Sequence, residues 1–304
     1  MQHIPPTVNP ITISGFSFVR NARKFDFPLV ESLRSLLPLC DELIVAVGAG
    51  QDDTLEMIRA IGDERIRIVE TVWDDTLREG GRVLAQQTNI ALAECRGDWC
   101  IYLQADEVIH EDDHQLLRQT IQQANGDAKV EALLMRYIHF YGTYDYVGAG
   151  RQWYRREIRA VRNTRSVTSW GDAQGFRKLL PSGQDALLQA RQTEVRIFHY
   201  GWVRPPQVQA SKQRNNSRMW HSDEWVEKNV AQTENFSYDG AFELRPFTGT
   251  HPSFMQQRIA NHRQLHWTFD PTRTRPRPLR VRITDWIERH TGWRIGEYRN
   301  FVEV

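Results

Sequence analysis

Residues 97–111 read GDWCIYLQADEVIHE, and the interpretation of the whole chain starts from this stretch. It opens with a short apolar and aromatic run, which is typical of a buried strand. The run ends in two carboxylates, Asp106 and Glu107. In open α/β sheets, ligands bind outside the carboxyl ends of the strands. Divalent cations prefer oxygen ligands and often join a carboxylate to the phosphates of a substrate. We therefore predict that Asp106 holds a metal ion that carries a nucleotide diphosphate.

A purely structural role is the alternative for the acids of this stretch. Acids that follow a strand often cap the next helix. Glu111, Asp112 and Asp113 are placed to cap the helix that follows. The order of the elements upstream favours the ligand-binding interpretation of Asp106.

Strands and helices alternate before residue 130. Apolar runs predict strands at 11–19, 43–47 and 65–70 and directly before Asp106. Helical spacing of apolar residues predicts helices at 28–37, 54–61, 84–95 and 116–124. This alternation implies right-handed crossovers and a largely parallel sheet. The segments that follow the strands then meet at one edge of the sheet and predict a nucleotide site there: 20–22, 48–52 and 104–107.

The pattern changes after residue 130. Further strands are predicted at 132–140, 158–162, 177–180 and 195–200, and helices near 207–230, 252–265 and 281–291. Pro205 and Pro206 mark a boundary between the two sets. Arginines recur in the joint between the last two helices, at Arg273, Arg275, Arg277, Arg280 and Arg282. We favour the interpretation that these arginines are solvated. The alternative is that they contact anionic lipid at a membrane surface or an acidic acceptor.

Composition limits the function classes. Hydrophobic residues make up 40% of the 304 residues and charged residues 25%, as in ordinary globular proteins. The formal net charge of +1 argues against a nucleic-acid partner. Three cysteines without metal-ligand spacing predict reduced thiols and a cytoplasmic location. The N-terminus has no signal-peptide pattern, and no apolar stretch is long enough to span a membrane.

The pattern resembles family 2 glycosyltransferases of the GT-A fold over roughly residues 11–204. Four places carry the resemblance: RNA at 20–22; VAVGAGQDDT at 45–54, in the position of V-D-D-G-S-x-D-x-T; the helix at 81–93; and LQADE at 103–107, in the position of L-D-A-D-D. The resemblance implies a Rossmann-like, mostly parallel α/β sheet flanked by helices. It divides the chain into a lead-in (1–10), a glycosyltransferase domain (11–204) and a mainly helical extension (205–304). Within the domain, residues 11–127 form the nucleotide-binding half and residues 128–204 the acceptor half.

The resemblance also implies roles for individual residues. Asp106 and His199 would bind a divalent metal, Mn²⁺ or Mg²⁺, and Asp172 would be the general base. Donor-binding positions would be Arg20, Asn21, Gly48, Asp52, Gln104 and Ala105. Trp153 and Trp170 are candidates for stacking on an acceptor sugar, with core packing as the alternative.

Three positions depart from the family pattern. Gly48 stands where an Asp commonly contacts the nucleobase, Gln104 replaces the first Asp of D-x-D, and Gly171 replaces a Glu before Asp172. The leading hypothesis is an inverting, metal-assisted glycosyltransferase that moves a sugar from a nucleotide-diphosphate donor to a glycan, lipid or small-molecule acceptor. The alternative, supported by these departures, is a catalytically degenerate GT-A module that binds a nucleotide or a glycan.

Overall fold

The computed structural model of the chain describes residues 10–77, 79–230, 233–265 and 267–304. Residues 1–9 of the predicted lead-in lie outside these ranges. The strands are β1 (Ile13–Val19), β2 (Glu42–Gly48), β3 (Ile66–Thr71), β4 (Trp99–Tyr102), β5 (Glu107–Ile109), β6 (Ala132–Tyr141), β7 (Thr143–Gly148), β8 (Arg156–Arg162), β9 (Val167–Trp170), β10 (Gly175–Leu179), β11 (Asp185–Trp202), β12 (Leu244–Pro246) and β13 (Phe301–Glu303). The α-helices are α1 (Leu29–Leu36), α2 (Thr54–Arg59), α3 (Arg82–Ala93), α4 (His114–Asn125), α5 (Pro206–Arg218), α6 (Asp223–Asn229), α7 (Gln256–Arg263) and α8 (Leu279–Thr291).

The first half of the chain forms the predicted parallel sheet. Its strand order is β3-β2-β1-β4, and all three pairings are parallel. Phe16 in β1 pairs with Ile44 on one side and with Tyr102 on the other. Strands β1 and β4 are buried along their whole length, as expected for a parallel sheet that is covered on both faces. The carboxyl ends of these strands therefore lie along one edge.

Helices cover both faces of this sheet, which confirms the predicted α/β class. On one face, Leu33 of α1 and Leu117 of α4 belong to a buried apolar cluster. On the other face, Val83 and Leu92 of α3 pack into a second cluster. The apolar positions of each helix recur at three- and four-residue intervals, so each helix turns one stripe toward the sheet.

The second half of the sheet is mixed. β8 pairs antiparallel with both β4 and β6, and β6 pairs parallel with β11. The strand predicted at 195–200 is the end of the 18-residue β11, which begins at Asp185. β11 also pairs antiparallel with β5, so that His199 lies opposite Glu107. This pairing brings the end of β11 next to the carboxylates that follow β4.

The last hundred residues carry helices and two short strands. β12 pairs with β7, and β13 pairs parallel with β11. The helical region predicted at 207–230 consists of α5 and α6, and the side chain of Ser222 caps α6 by accepting a hydrogen bond from the Trp225 amide. Across the described ranges, none of the helices combines the length and the apolar character that a bilayer crossing requires.

Candidate active site

A cavity of about 760 Å³ lies at the carboxyl ends of β1 and β4. Six of the residues predicted from the sequence line it: Arg20, Gln104, Ala105, Asp106, Asp172 and His199. Helix α5 closes one side with Gln209 and Lys212, and the segment around Trp220 and Trp225 forms part of the wall. The predicted convergence of strand ends therefore produces a cavity, and the C-terminal region completes it.

Asp106 is held in place by hydrogen bonds to its backbone and to its side chain. Its carbonyl oxygen accepts a hydrogen bond from the Tyr200 amide at 2.8 Å, which ties it to β11. The residue is only 6% exposed, and its Oδ2 accepts a hydrogen bond from Lys212 Nζ at 2.9 Å. Lys212 also donates to the carbonyl oxygen of Gly201 at 3.0 Å, so the ammonium group is fixed by two acceptors.

The charges around Asp106 favour its ionised form. Burial alone would raise the pKa of this carboxyl, but the positive charges of Lys212 and Arg204 lower it more, so its pKa lies well below the usual value. Burial and the neighbouring Arg204 lower the pKa of Lys212 to about 8, although Asp106 opposes this. At neutral pH the site therefore holds a carboxylate and a protonated lysine.

A chain of hydrogen bonds determines which nitrogen of His199 carries the proton and which one presents a lone pair to Asp106. His139 Nε2 lies 2.8 Å from the Tyr154 carbonyl oxygen, which can only accept, so His139 carries its proton on Nε2. Its Nδ1 then accepts from His199 Nδ1 at 2.8 Å. Burial lowers the pKa of both histidines, so both rings are neutral. His199 Nε2 is left with a lone pair, 3.9 Å from Asp106 Oδ1. This is the arrangement found where a metal-binding histidine is oriented by a hydrogen bond from its other nitrogen.

Arg204 adds a second buried cation. Its side chain is fully buried, and its guanidinium lies 5.3 Å from the ring of Phe27, over which Lys212 Nζ also lies at 5.0 Å. Nη1 donates to Gln209 at 3.3 Å, whereas Nε and Nη2 have no hydrogen-bond partner among the described residues. Two buried cations, Lys212 and Arg204, thus lie close to the Asp106 carboxylate, and part of the Arg204 guanidinium has no hydrogen-bond partner among the described residues.

Glu107 has a structural role, although it neighbours the predicted metal ligand. Arg159 binds it in a bidentate ion pair, with Nε and Nη2 each 2.8 Å from a carboxylate oxygen, and neither side chain is exposed. Tyr137 and the backbone amide of Gln104 donate to the same carboxylate. Because these buried partners occupy the Glu107 carboxylate, Glu107 does not take the place of the acid that the family pattern has at position 104.

The loop that carries Asp172 is fastened to this network. Gln104 Nε2 donates to the Ala173 carbonyl oxygen at 3.4 Å, and Arg159 Nη1 donates to the Gln174 carbonyl oxygen at 2.8 Å. Gly171 has φ +62°, a conformation that disfavours the Glu of the family pattern. Burial raises the pKa of the Asp172 carboxyl above its usual value. A carboxylate with a raised pKa at a cavity wall can accept a proton from a bound hydroxyl.

Trp73 is a site residue that the sequence analysis missed. It lines the cavity, and the guanidinium of Arg20 lies 4.3 Å above its ring. A Cβ atom at Gly48 would lie 2.2 Å from Trp73 Nε1, so the indole occupies the space that a side chain at position 48 needs. The glycine at position 48 was the available signal, because it leaves room for a neighbouring side chain where the family commonly has an Asp.

Other predicted residues lie away from the main cavity. Gly48 and Asp52 line a separate cavity of about 340 Å³ beside β2 and β3. Asn21 Oδ1 accepts from the Gln51 amide, and Asp52 accepts from the amides of Lys24 and Thr54, so these side chains stabilise the local loops.

The two predicted acceptor tryptophans also lie elsewhere. Trp153 is buried and stacks on His139 at 5.2 Å between ring centroids. Trp170 is partly exposed, and the guanidinium of Arg177 lies over its ring, 4.6 Å from the ring centre.

The oxygen and nitrogen atoms around Asp106 suit a divalent cation whose remaining ligands are phosphate oxygens and water. Within the described ranges, no group of three or more His, Cys, Asp or Glu side chains could hold a metal ion. Asp106 Oδ1 and His199 Nε2 would be the two protein ligands of such a cation, and a Cβ atom added at Gly201 would lie 2.4 Å from that Nε2 and 3.2 Å from Asp106 Oδ2. Gly201 therefore packs directly against both side chains, and a larger residue there would displace the imidazole. Mg²⁺-type sites commonly combine one or two protein ligands with phosphates and water.

Comparison with known proteins gives one family match. The family model described as glycosyl transferase family 2 matches residues 28–181, just over half of the 304 residues. The match ends before His199, Arg204 and Lys212. None of the curated proteins compared with the sequence matches it.

Solved structures give more distant similarities. The chain is 14% identical to TarS of S. aureus over 68% of this chain and 39% of that chain, with a TM-score of 0.39. For TarS 1-349 in complex with UDP-GlcNAc, the identity is 12% over 74% of this chain and 68% of that chain, and the TM-score is 0.40. For glucosyl-3-phosphoglycerate synthase from Mycobacterium tuberculosis in complex with Mn²⁺, UDP and glucosyl-3-phosphoglycerate, the identity is 18% over 47% of this chain and 52% of that chain, and the TM-score is 0.31. The chain thus spans well under half of the longer TarS chain.

Proposed function

The chain belongs to glycosyl transferase family 2 and has an α/β fold of the GT-A type, and on that premise we propose that it transfers a sugar from a nucleotide-diphosphate donor to a hydroxyl acceptor with inversion. One observation carries this proposal. Two buried cations, Lys212 and Arg204, flank a single buried carboxylate, Asp106, beside the cavity at the sheet edge. A buried positive charge is costly unless an anion compensates it. The diphosphate of a nucleotide sugar supplies that anion.

The donor diphosphate is proposed to bind a divalent cation, Mn²⁺ or Mg²⁺, held by Asp106 Oδ1 and His199 Nε2. When bound, the cation stabilises the negative charge that develops on the leaving diphosphate. Lys212 binds the other oxygen of Asp106 and so orients the carboxylate. His139 orients His199 through the Nδ1 contact. Lys212 and Arg204 contribute positive charge whether or not the cation is present.

Asp172 is the proposed general base. It accepts the proton of the acceptor hydroxyl while that oxygen forms a bond to the anomeric carbon. The bond between the anomeric carbon and the diphosphate oxygen breaks on the opposite side, and its electron pair leaves with the diphosphate. Burial raises the pKa of Asp172, which makes the carboxylate a stronger base than an exposed aspartate.

The proposed acceptor site lies beside Asp172. A Cβ atom at Gly81 would lie 2.8 Å from Asp172 Cβ and 3.3 Å from a ring atom of Trp220, so Gly81 lies against both residues. Trp220 and Trp225 are 41% and 42% exposed and line the cavity. Aromatic faces of this kind suit the apolar face of a sugar ring. We therefore place a glycan acceptor against Trp220, in preference to Trp153 or Trp170.

The degenerate binding module remains the competing proposal, because Gln104 replaces an acid and binds the Ala173 carbonyl oxygen. Both proposals are compatible with a cytoplasmic protein, since all three cysteines are free and buried.

A donor screen distinguishes the two proposals. The panel begins with UDP-sugars, which are related to the ligands of the TarS and mycobacterial structures. Donor binding is measured by thermal shift with and without Mn²⁺, and transfer or hydrolysis by nucleotide release. We expect Asp172→Asn to keep donor binding and to lose turnover by about 10²–10⁴-fold. Donor binding without release of nucleotide from any donor, in the presence of acceptor glycans, would favour the binding module.

A further inference from the structure

Helix α8 (Leu279–Thr291) turns apolar side chains outward. Leu279, Ile283 and Trp286 are 69%, 51% and 61% exposed. They are spaced four and three residues apart, so they form one stripe along the helix. Trp293, just past the end of the helix, is also largely exposed. We call these four residues the outer face of α8.

The opposite side of α8 holds the helix to the protein through ion pairs. Asp285 is only 8% exposed and lies 3.3 Å from Arg277 and 3.9 Å from Arg151. Glu288 pairs with Arg151 and with Arg155. A surface helix of a globular protein normally turns its apolar stripe toward the core and its charges toward solvent. In α8 this arrangement is reversed, which indicates that the outer face has a partner outside the described chain.

Arginines border the outer face. With 3.6 residues per turn, Arg280 lies along one side of the stripe, and Arg282 and Arg289 lie along the other. Arg273 and Arg275 are exposed in the segment that leads into the helix. The acids of the same region are engaged with arginines: Asp270 with Arg273, Glu243 with Arg245, Arg277 and Arg289, and Asp285 and Glu288 as described above. The charge presented around the apolar stripe is therefore positive.

We propose that the outer face of α8 docks onto a membrane surface that contains anionic lipids. The inference goes beyond the proposed glycosyl transfer and does not depend on it. An apolar stripe with exposed tryptophans, bordered by arginines, matches helices that lie in the membrane interface. Tryptophan prefers the headgroup level, and arginine binds anionic headgroups. A second copy of the chain is a poorer match, because a two-fold interface would place the same arginines opposite each other.

The test is co-sedimentation of the full chain with vesicles. One set contains phosphatidylcholine alone, and the other contains phosphatidylcholine mixed with phosphatidylglycerol in equal parts. We expect binding to the mixed vesicles that weakens as salt is added. The double variant Ile283→Ser, Trp286→Ser should bind them at least about tenfold more weakly, because two large apolar side chains no longer insert. Leu179→Ser is the matched control, since Leu179 is a similarly exposed leucine on β10.

A second variant tests the charges separately. Arg280→Glu with Arg282→Glu should weaken binding to the mixed vesicles by about tenfold or more and leave the melting temperature unchanged. The proposal is overturned if the wild-type chain does not bind the mixed vesicles, or if both double variants bind as the wild type does. It is also overturned if light scattering shows a lipid-free dimer that the Ile283→Ser, Trp286→Ser variant dissociates, because a second copy then covers this face.

Discussion

The ammonium group of Lys212 lies 2.9 Å from Oδ2 of Asp106, although 106 residues separate the two in the chain. Lys212 enters on α5, beyond the region that the family model matches, whereas Asp106 follows the central strand β4. The cavity wall is therefore completed by the C-terminal region.

We expect Lys212→Met to reduce kcat/KM about 10–100-fold, because the substitution removes the partner that orients Asp106 and one positive charge beside the diphosphate. Steady-state kinetics with the donor varied would measure this effect, and Lys212→Arg should recover part of the loss. Lys228→Met, at an exposed lysine on α6, is the matched control and should behave as the wild type. Unchanged kinetics for Lys212→Met with every donor would remove Lys212 from the proposed site.

Gly201→Ala tests whether the position of the His199 ring matters for metal binding. The added Cβ would lie 2.4 Å from His199 Nε2 and would displace the ring from its position. A ligand that binds only the native state raises the melting temperature. We therefore expect Mn²⁺ with the nucleoside diphosphate of the donor identified in the screen to raise the melting temperature of the wild type but not that of the variant. Gly126→Ala, whose Cβ would meet only a carbonyl oxygen at 3.5 Å, should keep the full shift. An equal shift in Gly201→Ala would contradict the proposed metal ligands.

The pH dependence of turnover should report Asp172. A general base must be ionised, so kcat/KM falls as pH decreases through its pKa. Because burial raises this pKa, the acid limb should lie above the usual range of an aspartate. A pH–rate profile would show the limb in the wild type, and Asp172→Asn should lose it together with most of the activity. A residual activity in Asp172→Asn that keeps the same acid limb would assign the base to another residue.

Glu157 should make stability depend on pH. Burial raises its pKa to about 8, so the folded state keeps a proton that the unfolded chain releases near pH 4.5. The folded state binds more protons between these values, and the free energy of unfolding must therefore decrease as pH rises through this window.

Glu157→Gln removes this titration, so it should flatten the pH dependence and stabilise the protein at alkaline pH by up to a few kcal/mol. Urea denaturation at several pH values would measure the difference. Glu64→Gln, at an exposed glutamate, is the control and should follow the wild type. A Glu157→Gln profile parallel to the wild type would show that Glu157 is already ionised in the folded state.

Arg159→Leu should destabilise the protein by about 3–5 kcal/mol, because it leaves the Glu107 carboxylate buried without its counter-charge. The double variant Glu107→Leu, Arg159→Leu should recover part of this loss, since it removes both charges. Chemical denaturation of the two single variants and the double variant would give the coupling energy. Additive losses would mean that the two buried side chains do not stabilise each other.

Much of the fold of the first 130 residues could be predicted from the sequence. The strands and helices before residue 130 follow from local apolar periodicity, and their order implies the parallel arrangement that the structure has. The position of Asp106 at the end of β4 follows from the same pattern. The departure at Gly48 was visible as well, but only the structure shows that Trp73 fills the space.

The sequence by itself determined most of the strands and helices before residue 130 and that Asp106 follows a strand at the sheet edge, because these depend on residues close together in the chain. Only the tertiary structure decided that Lys212 and Arg204 join Asp106, that Arg159 binds Glu107, and that α8 turns its apolar stripe outward. Those relationships depend on how distant segments pack, and a pattern of neighbouring residues carries no information about the partner that a side chain meets across the fold.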